Sequence, residues 1–177
     1  IDPFWDNSAR NLYSSICLYL LETNKELNLK EILRVSVGDF DAYKDYVEKQ
    51  DILSTVSILG TPIIKSPVET RGGILSVFNQ KMKKYISREN LSNMLSASDF
   101  DICELSNKQT ALFIINGHTN YCDNLIPLFV NQVVEGVNFF GKQEKTLSIL
   151  LDEFDSLIPI KDFSKLIAFS RSINVRF

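Results

Sequence analysis

Asp152 and Glu153 are adjacent carboxylates that follow directly on the apolar run Ile149-Leu150-Leu151. A buried parallel strand carries its last residues to the carboxyl edge of a sheet, where open α/β folds bind ligands. At that edge one acid can hold the water shell of Mg²⁺, and a second can orient a water for attack on a phosphoryl group. The residue types and their order are those of a Walker B motif, although the same pair also starts helices and ends solvated strands. Lys81, Lys83, Lys84 and Arg88 form a local basic cluster. It suits either a solvated helix face or contact with a phosphate backbone. His118 is the only histidine, which excludes a multi-histidine metal site; it reads as a surface-loop residue. Cys17, Cys103 and Cys122 are far apart without CxxC spacing, and read as reduced structural thiols.

The elements around these residues need a core. The chain has 177 residues, 45% apolar and 23% charged, which suits one domain or one and a half. A net charge of −3 gives no global field for nucleic acid, so DNA contact needs a local patch or an assembly. No apolar run approaches the ~20 residues of a membrane span, and no signal-peptide pattern is visible. The start Ile1-Asp2-Pro3, without Met, reads as an excised piece of something longer.

The first half reads as helices. Asp2-Pro3 is an N-cap followed by proline. Trp5, Ala9, Leu12, Ile16 and Leu20 then repeat at helical spacing to about Glu22. A second helix starts at Asn28 with Glu31 as capping-box partner, and Gly38 closes it. Asp39 caps a third, with Phe40, Tyr43 and Val47 inward. Ile52, Leu53, Val56 and Leu59 predict a fourth, ending at Gly60. Ser66-Pro67-Val68-Glu69 predicts a capped long helix to about Ile86. Its Gly72-Gly73 pair implies a close helix crossing or a kink. A short helix follows from Asn90 to Leu95.

After Ser96-Ala97-Ser98 the pattern alternates. Thr110–Ile115 predicts a buried strand. Asp123 caps a helix with Leu128, Val130, Val133, Val134 and Val137 inward, ending near Gly141. The Ile149–Leu151 strand, a helix from Asp162 to about Ser170, and a third strand at Asn174–Phe177 follow. That order is the βαβ signature of a parallel sheet.

Four stretches carry a resemblance to the coupling-protein ATPases of type IV secretion and conjugation, the TraG/TraD-like group. Asp2-Pro3-Phe4-Trp5 and its helix look like the entry to that family's all-α insertion. Glu69-Thr70-Arg71-Gly72-Gly73-Ile74-Leu75-Ser76 resembles its long helix. Leu150-Leu151-Asp152-Glu153-Phe154 is similar to its Walker B. Lys165-Leu166-Ile167-Ala168-Phe169-Ser170-Arg171-Ser172 resembles the helix after it. Two departures stand out. The loop after the acids is Asp155-Ser156-Leu157-Ile158, without the family's glycine. No GxxxxGK[ST] occurs, and in this family that loop lies upstream of the insertion.

The resemblance implies an α/β, mostly helical chain: an all-α bundle inserted into an incomplete RecA-like parallel sheet of about three strands. Residues 1–105 would be the all-α substrate-recognition domain, and 106–177 the partial nucleotide-binding domain, its missing strands leaving raw edges. It implies a membrane-tethered homo-hexamer at the cytoplasmic face of the inner membrane, this piece itself being soluble. The intact protein would use ATP and Mg²⁺ to hand relaxase-bound single-stranded DNA, or secreted protein substrates, to the secretion channel. Asp152 would hold Mg²⁺ through water and Glu153 would polarise the attacking water. Arg171 would sense the phosphate or face a neighbouring subunit, or else only complement its helix dipole. Asp39, Phe40, Asp41, Tyr43, Asp45 and Tyr46 are candidates for protein contact, or for ordinary packing. Lys81, Lys83, Lys84 and Arg88 are the candidates for DNA. Without the phosphate cradle these residues should not hydrolyse ATP alone. The alternative reading is a non-enzymatic helical docking module with no nucleotide role.

Overall fold

The computed structural model describes residues 2–98, 101, 109–115, 123–139 and 145–177. The chain divides into two compact units, Ile1–Ser98 and Asp99–Phe177. The sequence placed its boundary a few residues later, after 105. His118, Cys103 and Cys122 lie outside the described residues, and Cys17 is a half-buried free thiol.

Unit 1 is built on α1 (Pro3–Glu22), α2 (Leu29–Val37), α3 (Phe40–Lys49), α4 (Thr55–Ile64), α5 (Val68–Ile86) and α6 (Glu89–Met94). Helix α1 is central and packs against α2, α3, α4 and α5. Its start is fixed locally: the Asp2 carboxylate accepts from the Phe4 N–H at 2.9 Å. Leu12, Ile16 and Leu20 are fully buried along one face, each worth roughly 1.5–3 kcal/mol on transfer from water. Asn28 caps α2 by accepting from the Glu31 N–H at 2.9 Å. The Glu31 carboxylate pairs with Arg34 at 3.2 Å.

Two predicted boundaries in this unit moved. Helix α4 does not stop at Gly60 but continues through it and Pro62 to Ile64. A Cβ on Gly60 would lie 2.6 Å from the Tyr43 hydroxyl and 2.7 Å from Ser15 Oγ. Gly60 is therefore a packing glycine at a helix crossing, not a terminator. Ile52 and Leu53 precede the helix and stay exposed. Ser66 does not cap α5: its hydroxyl donates back to the Ile63 carbonyl at 2.6 Å. Arg71 adds a bond from its guanidinium to the Ile64 carbonyl at 2.9 Å. Both groups satisfy the last carbonyls of α4, which have no intrahelical donor.

Unit 2 contains α7 (Leu125–Phe139), β1 (Leu147–Ser148), α8 (Phe163–Ser170) and β2 (Val175–Arg176). The strands pair in parallel, Leu147 opposite Val175 and Ser148 opposite Arg176. Val134, Val137, Ile173 and Val175 form its core, with Leu147, Ile149 and Leu166 packed on it. On α7, Val130, Val133, Val134 and Val137 are buried as expected, whereas Leu128, expected inward, is exposed, and Pro127 is buried in its stead. Pro127, Val130, Val134 and Val137 share one face at helical spacing, and Leu128 falls on the other side.

The overall class is α/β and mostly helical, but the sheet among the described residues has two strands, not three. Thr110–Ile115 forms no strand, and all six residues are exposed. A strand buried on both faces needs paired neighbours and covering layers, and no described strand pairs with this run. The Ile149–Leu151 strand is displaced as well. Its ladder is Leu147–Ser148, extended by the Ile149 N–H to the Arg176 carbonyl at 2.8 Å. Leu150 is 90% exposed.

Candidate functional site

Asp152 and Glu153 stand in the turn that follows β1 and its extension at Ile149, and both are exposed. The Asp152 carboxylate accepts the Glu153 N–H at 3.0 Å. Glu153 adopts φ 48°, ψ 43°, a left-handed backbone, which costs a non-glycine residue about 1–2 kcal/mol. The local Asp152 bond helps to hold this conformation. The next residues, Phe154–Ser156, form a single 3₁₀ turn.

An aromatic series holds that turn in place. Phe154 stacks on Phe163 with ring centroids 4.8 Å apart. Phe163 meets Phe177 edge-on at 5.2 Å. Phe163 opens α8, and Phe177 directly follows β2, so the carboxyl ends of both strands and the start of α8 are tied together. Such ring pairs contribute about 0.5–1.5 kcal/mol each beyond burial. Sequence alone gave these three phenylalanines no positioning role. Their signal was position: one after the acid pair, one at the helix start and one after the last strand.

Arg171 lies at the opposite edge. It ends α8 and starts the 3₁₀ turn Arg171–Ile173, ahead of the amino end of β2. The amino edge is closed by Leu147 N–H to the Asn174 carbonyl at 3.1 Å and Thr146 Oγ1 to Asn174 Oδ1 at 3.0 Å. In a parallel ladder with Leu147 opposite Val175, residues before β2 and residues after β1 lie at opposite ends. Arg171 and the acid pair therefore leave the two-strand ladder from opposite ends. Arg171 instead lines an open groove of about 430 Å³ with Ile167, Asn174, Val175, Arg176 and Phe177.

The remaining candidates are in unit 1. On α3, Tyr43 is fully buried and belongs to the core, and Phe40 packs against it at 5.5 Å. Tyr46 is half-buried, its hydroxyl donating to the Glu22 carboxylate at 2.8 Å. That carboxylate raises the Tyr46 pKa. Asp39, Asp41 and Asp45 are exposed. Lys81, Lys83, Lys84 and Arg88 are exposed along the end of α5 and just after it. Lys81 pairs with Asp6 at 3.1 Å. Lys84 lies over the Tyr85 ring at 4.7 Å.

No cluster of three or more His, Cys, Asp or Glu side chains arranged for a metal occurs among the described residues. Two exposed carboxylates at a strand's carboxyl end suit Mg²⁺, which keeps several waters and takes one or two protein acids plus phosphate oxygens. The carboxylate chemistry of these donors is of the kind that ion takes. No GxxxxGK[ST] occurs among these 177 residues. Among the described residues no helix is long and apolar enough to cross a membrane.

Searches of curated proteins and of solved structures each gave no match to the chain. The family model of type IV secretory system conjugative DNA transfer matches residues 1–177. With the whole length matched, the chain belongs to the type IV secretory system conjugative DNA transfer family.

Proposed function

We propose that this chain is part of a type IV secretion coupling protein: a substrate-recruiting helical unit followed by part of a RecA-like nucleotide-binding domain. The observation that carries the reading is the Asp152-Glu153 pair in the turn after a parallel strand, in a unit that follows a separate helical unit in the sequence. Family membership supports a role in conjugative DNA transfer.

ATP, bound with Mg²⁺ by the intact protein, would supply the phosphoryl hydrolysis that drives transfer. Asp152 would hold the ion through its water ligands. Glu153 would accept a hydrogen bond from the attacking water and set its direction. Asp152 needs only its exposed carboxylate for this, and Glu153 beside it stands on a left-handed backbone at the turn. Arg171, at the far edge, would serve a neighbouring subunit's site in a homo-hexamer. Unit 1 would recruit relaxase or secreted protein substrates, with the α3 acids in contact. Lys81, Lys83, Lys84 and Arg88 would meet single-stranded DNA. The intact protein would work at the cytoplasmic face of the inner membrane beside the secretion channel.

The test is nucleotide binding and ATPase activity of this chain and of a longer one that adds a GxxxxGK[ST] loop. Activity that appears only in the longer chain, and disappears with Glu153→Gln while nucleotide still binds, supports the motor reading. Unchanged hydrolysis in that variant rejects it. A second reading, a docking module with no nucleotide role, rests on the compact helical unit Ile1–Ser98. Retention of relaxase by this chain without any nucleotide effect would support it.

A further inference from the structure

Two left-handed residues of unit 2 stand in the same relation to an aromatic ring. Glu153, at φ 48°, immediately precedes Phe154, and Asp162, at φ 53°, immediately precedes Phe163. Those two rings stack on each other, with centroids 4.8 Å apart and 28° between their planes. A left-handed backbone at a residue that carries a Cβ persists only where its surroundings hold it. A stacked ring pair contributes about as much as one such residue costs. The contact and the strain at Glu153 are therefore matched in size, and the first can hold the second.

The two sides of the stack are anchored unequally. Asp162 stands at the head of α8, where its carbonyl accepts the Lys165 and Leu166 N–H groups at 2.9 and 3.0 Å. Its carboxylate pairs with Lys165 at 3.4 Å. Phe163, the first residue of that helix, is half-buried and meets the Phe177 ring edge-on. Phe154 begins the single turn after Glu153 and is 45% exposed. Phe163 is thus the fixed surface and Phe154 the ring that docks on it. With that ring undocked, the sterics of an L-residue favour the right-handed or extended regions at Glu153. A return to right-handed helical values turns φ through about 110°. That rotation carries the Glu153 Cβ, and the carboxylate beyond it, to a different place.

We infer that Phe154 is a positioning residue for Glu153: the docking of its ring on Phe163 keeps residue 153 left-handed and so keeps the carboxylate in one place. This deepens the motor reading and rests on it for its catalytic meaning, since Glu153 then orients the attacking water only while the stack is closed. Phe154 itself touches neither nucleotide nor water; it acts through the backbone of its neighbour.

Amide exchange of the full 177-residue chain reads the stack without nucleotide. Phe154→Ala should lower the protection factors of residues 152–154 at least fivefold, and Phe154→Leu, which keeps apolar bulk, less than twofold. Adding Glu153→Gly to Phe154→Ala should regain most of the loss, because glycine adopts a positive φ without steric cost. Adding Asp155→Gly instead should regain none of it, since Asp155 is not at positive φ. Damaged packing alone would not be repaired by glycine at one of these positions and not at the other. Unchanged protection in Phe154→Ala, or equal effects of the two glycines, overturns the proposal. In the longer chain that adds a GxxxxGK[ST] loop, Phe154→Ala should lower kcat at least fivefold with ATP affinity unchanged, and Phe154→Leu should keep most of the rate. Hydrolysis that is lost in Glu153→Gln but intact in Phe154→Ala also overturns the proposal. A longer chain without any hydrolysis sinks the motor reading, while the exchange results still decide the stack.

Discussion

The Tyr43 hydroxyl donates to Ser15 Oγ at 2.7 Å, joining α3 to α1 across 28 positions of sequence. Ser15 in turn donates to the Val56 carbonyl of α4 at 2.9 Å. Tyr43 and Ser15 are both fully buried, and Gly60 of α4 lies against both. Three helices therefore meet on one short hydrogen-bond chain. Ser15→Ala leaves the Tyr43 hydroxyl buried without its acceptor and should cost about 1–3 kcal/mol. Tyr43→Phe removes the donor and should cost only about 1 kcal/mol. Urea unfolding of both variants checks the order; Tyr43→Phe as the worse of the two would contradict it.

Alkaline pH acts on the same tyrosine. Burial raises the Tyr43 pKa from 10.0 to about 12, its bond to Ser15 lowering it only in part. In the unfolded chain the hydroxyl ionises near 10, while in the folded chain it stays protonated. The folded pKa is the higher one, so the full stability is present below pH 10 and is lost as pH rises through 12. The loss from Tyr43 approaches about 3 kcal/mol across that window. Tyr13, also raised to about 12 by burial, acts in the same direction more weakly because it is partly exposed. Thermal melts at pH 9, 10 and 11 should fall steadily, and Tyr43→Phe should flatten the slope.

The paired glycines of α5 should respond in opposite ways. A Cβ on Gly72 meets nothing within 4 Å, whereas one on Gly73 lies 2.6 Å from the Trp5 ring. Gly72→Ala should stabilise the unit by up to about 1 kcal/mol through helix propensity. Gly73→Ala should destabilise it by about 1–3 kcal/mol, because the indole cannot shift freely in a packed crossing. Comparing the two urea midpoints is enough; equal shifts would remove Trp5 as the reason.

Phe163 is expected to position the acid turn. It contacts Phe154 on one side and Phe177 on the other. Phe163→Ala should cost unit 2 roughly 1–3 kcal/mol, less than a fully buried ring. Amide exchange at Asp152, Glu153 and Phe154 should accelerate at least tenfold, with exchange in α1 unchanged. Phe163→Leu, which keeps apolar bulk, should restore most of the protection. No change at those amides would show that the turn is held by other contacts.

Local chemistry made much of unit 1 legible from residue order. Asp2 and Asn28 cap their helices because the donors they need lie two or three positions away. The face Leu12, Ile16, Leu20 follows from helical period alone. The Asp-Glu pair and the alternation of strand and helix around it were visible for the same reason. Other features depended on partners distant in sequence. Ser66 chose the carbonyl of the preceding helix over its own cap because α4 ended beside it. Gly60 became a crossing point because Tyr43 and Ser15 met there. Thr110–Ile115 has the composition of a buried strand, but a strand exists only where another backbone pairs with it. Arg171 and the acid pair looked like members of one site in sequence, and the parallel register of β1 and β2 put them at opposite edges. Caps and periods are set within a turn or two of chain, so the sequence by itself determined them; pairing, crossing and edge are relations between distant segments, which only the tertiary structure decided.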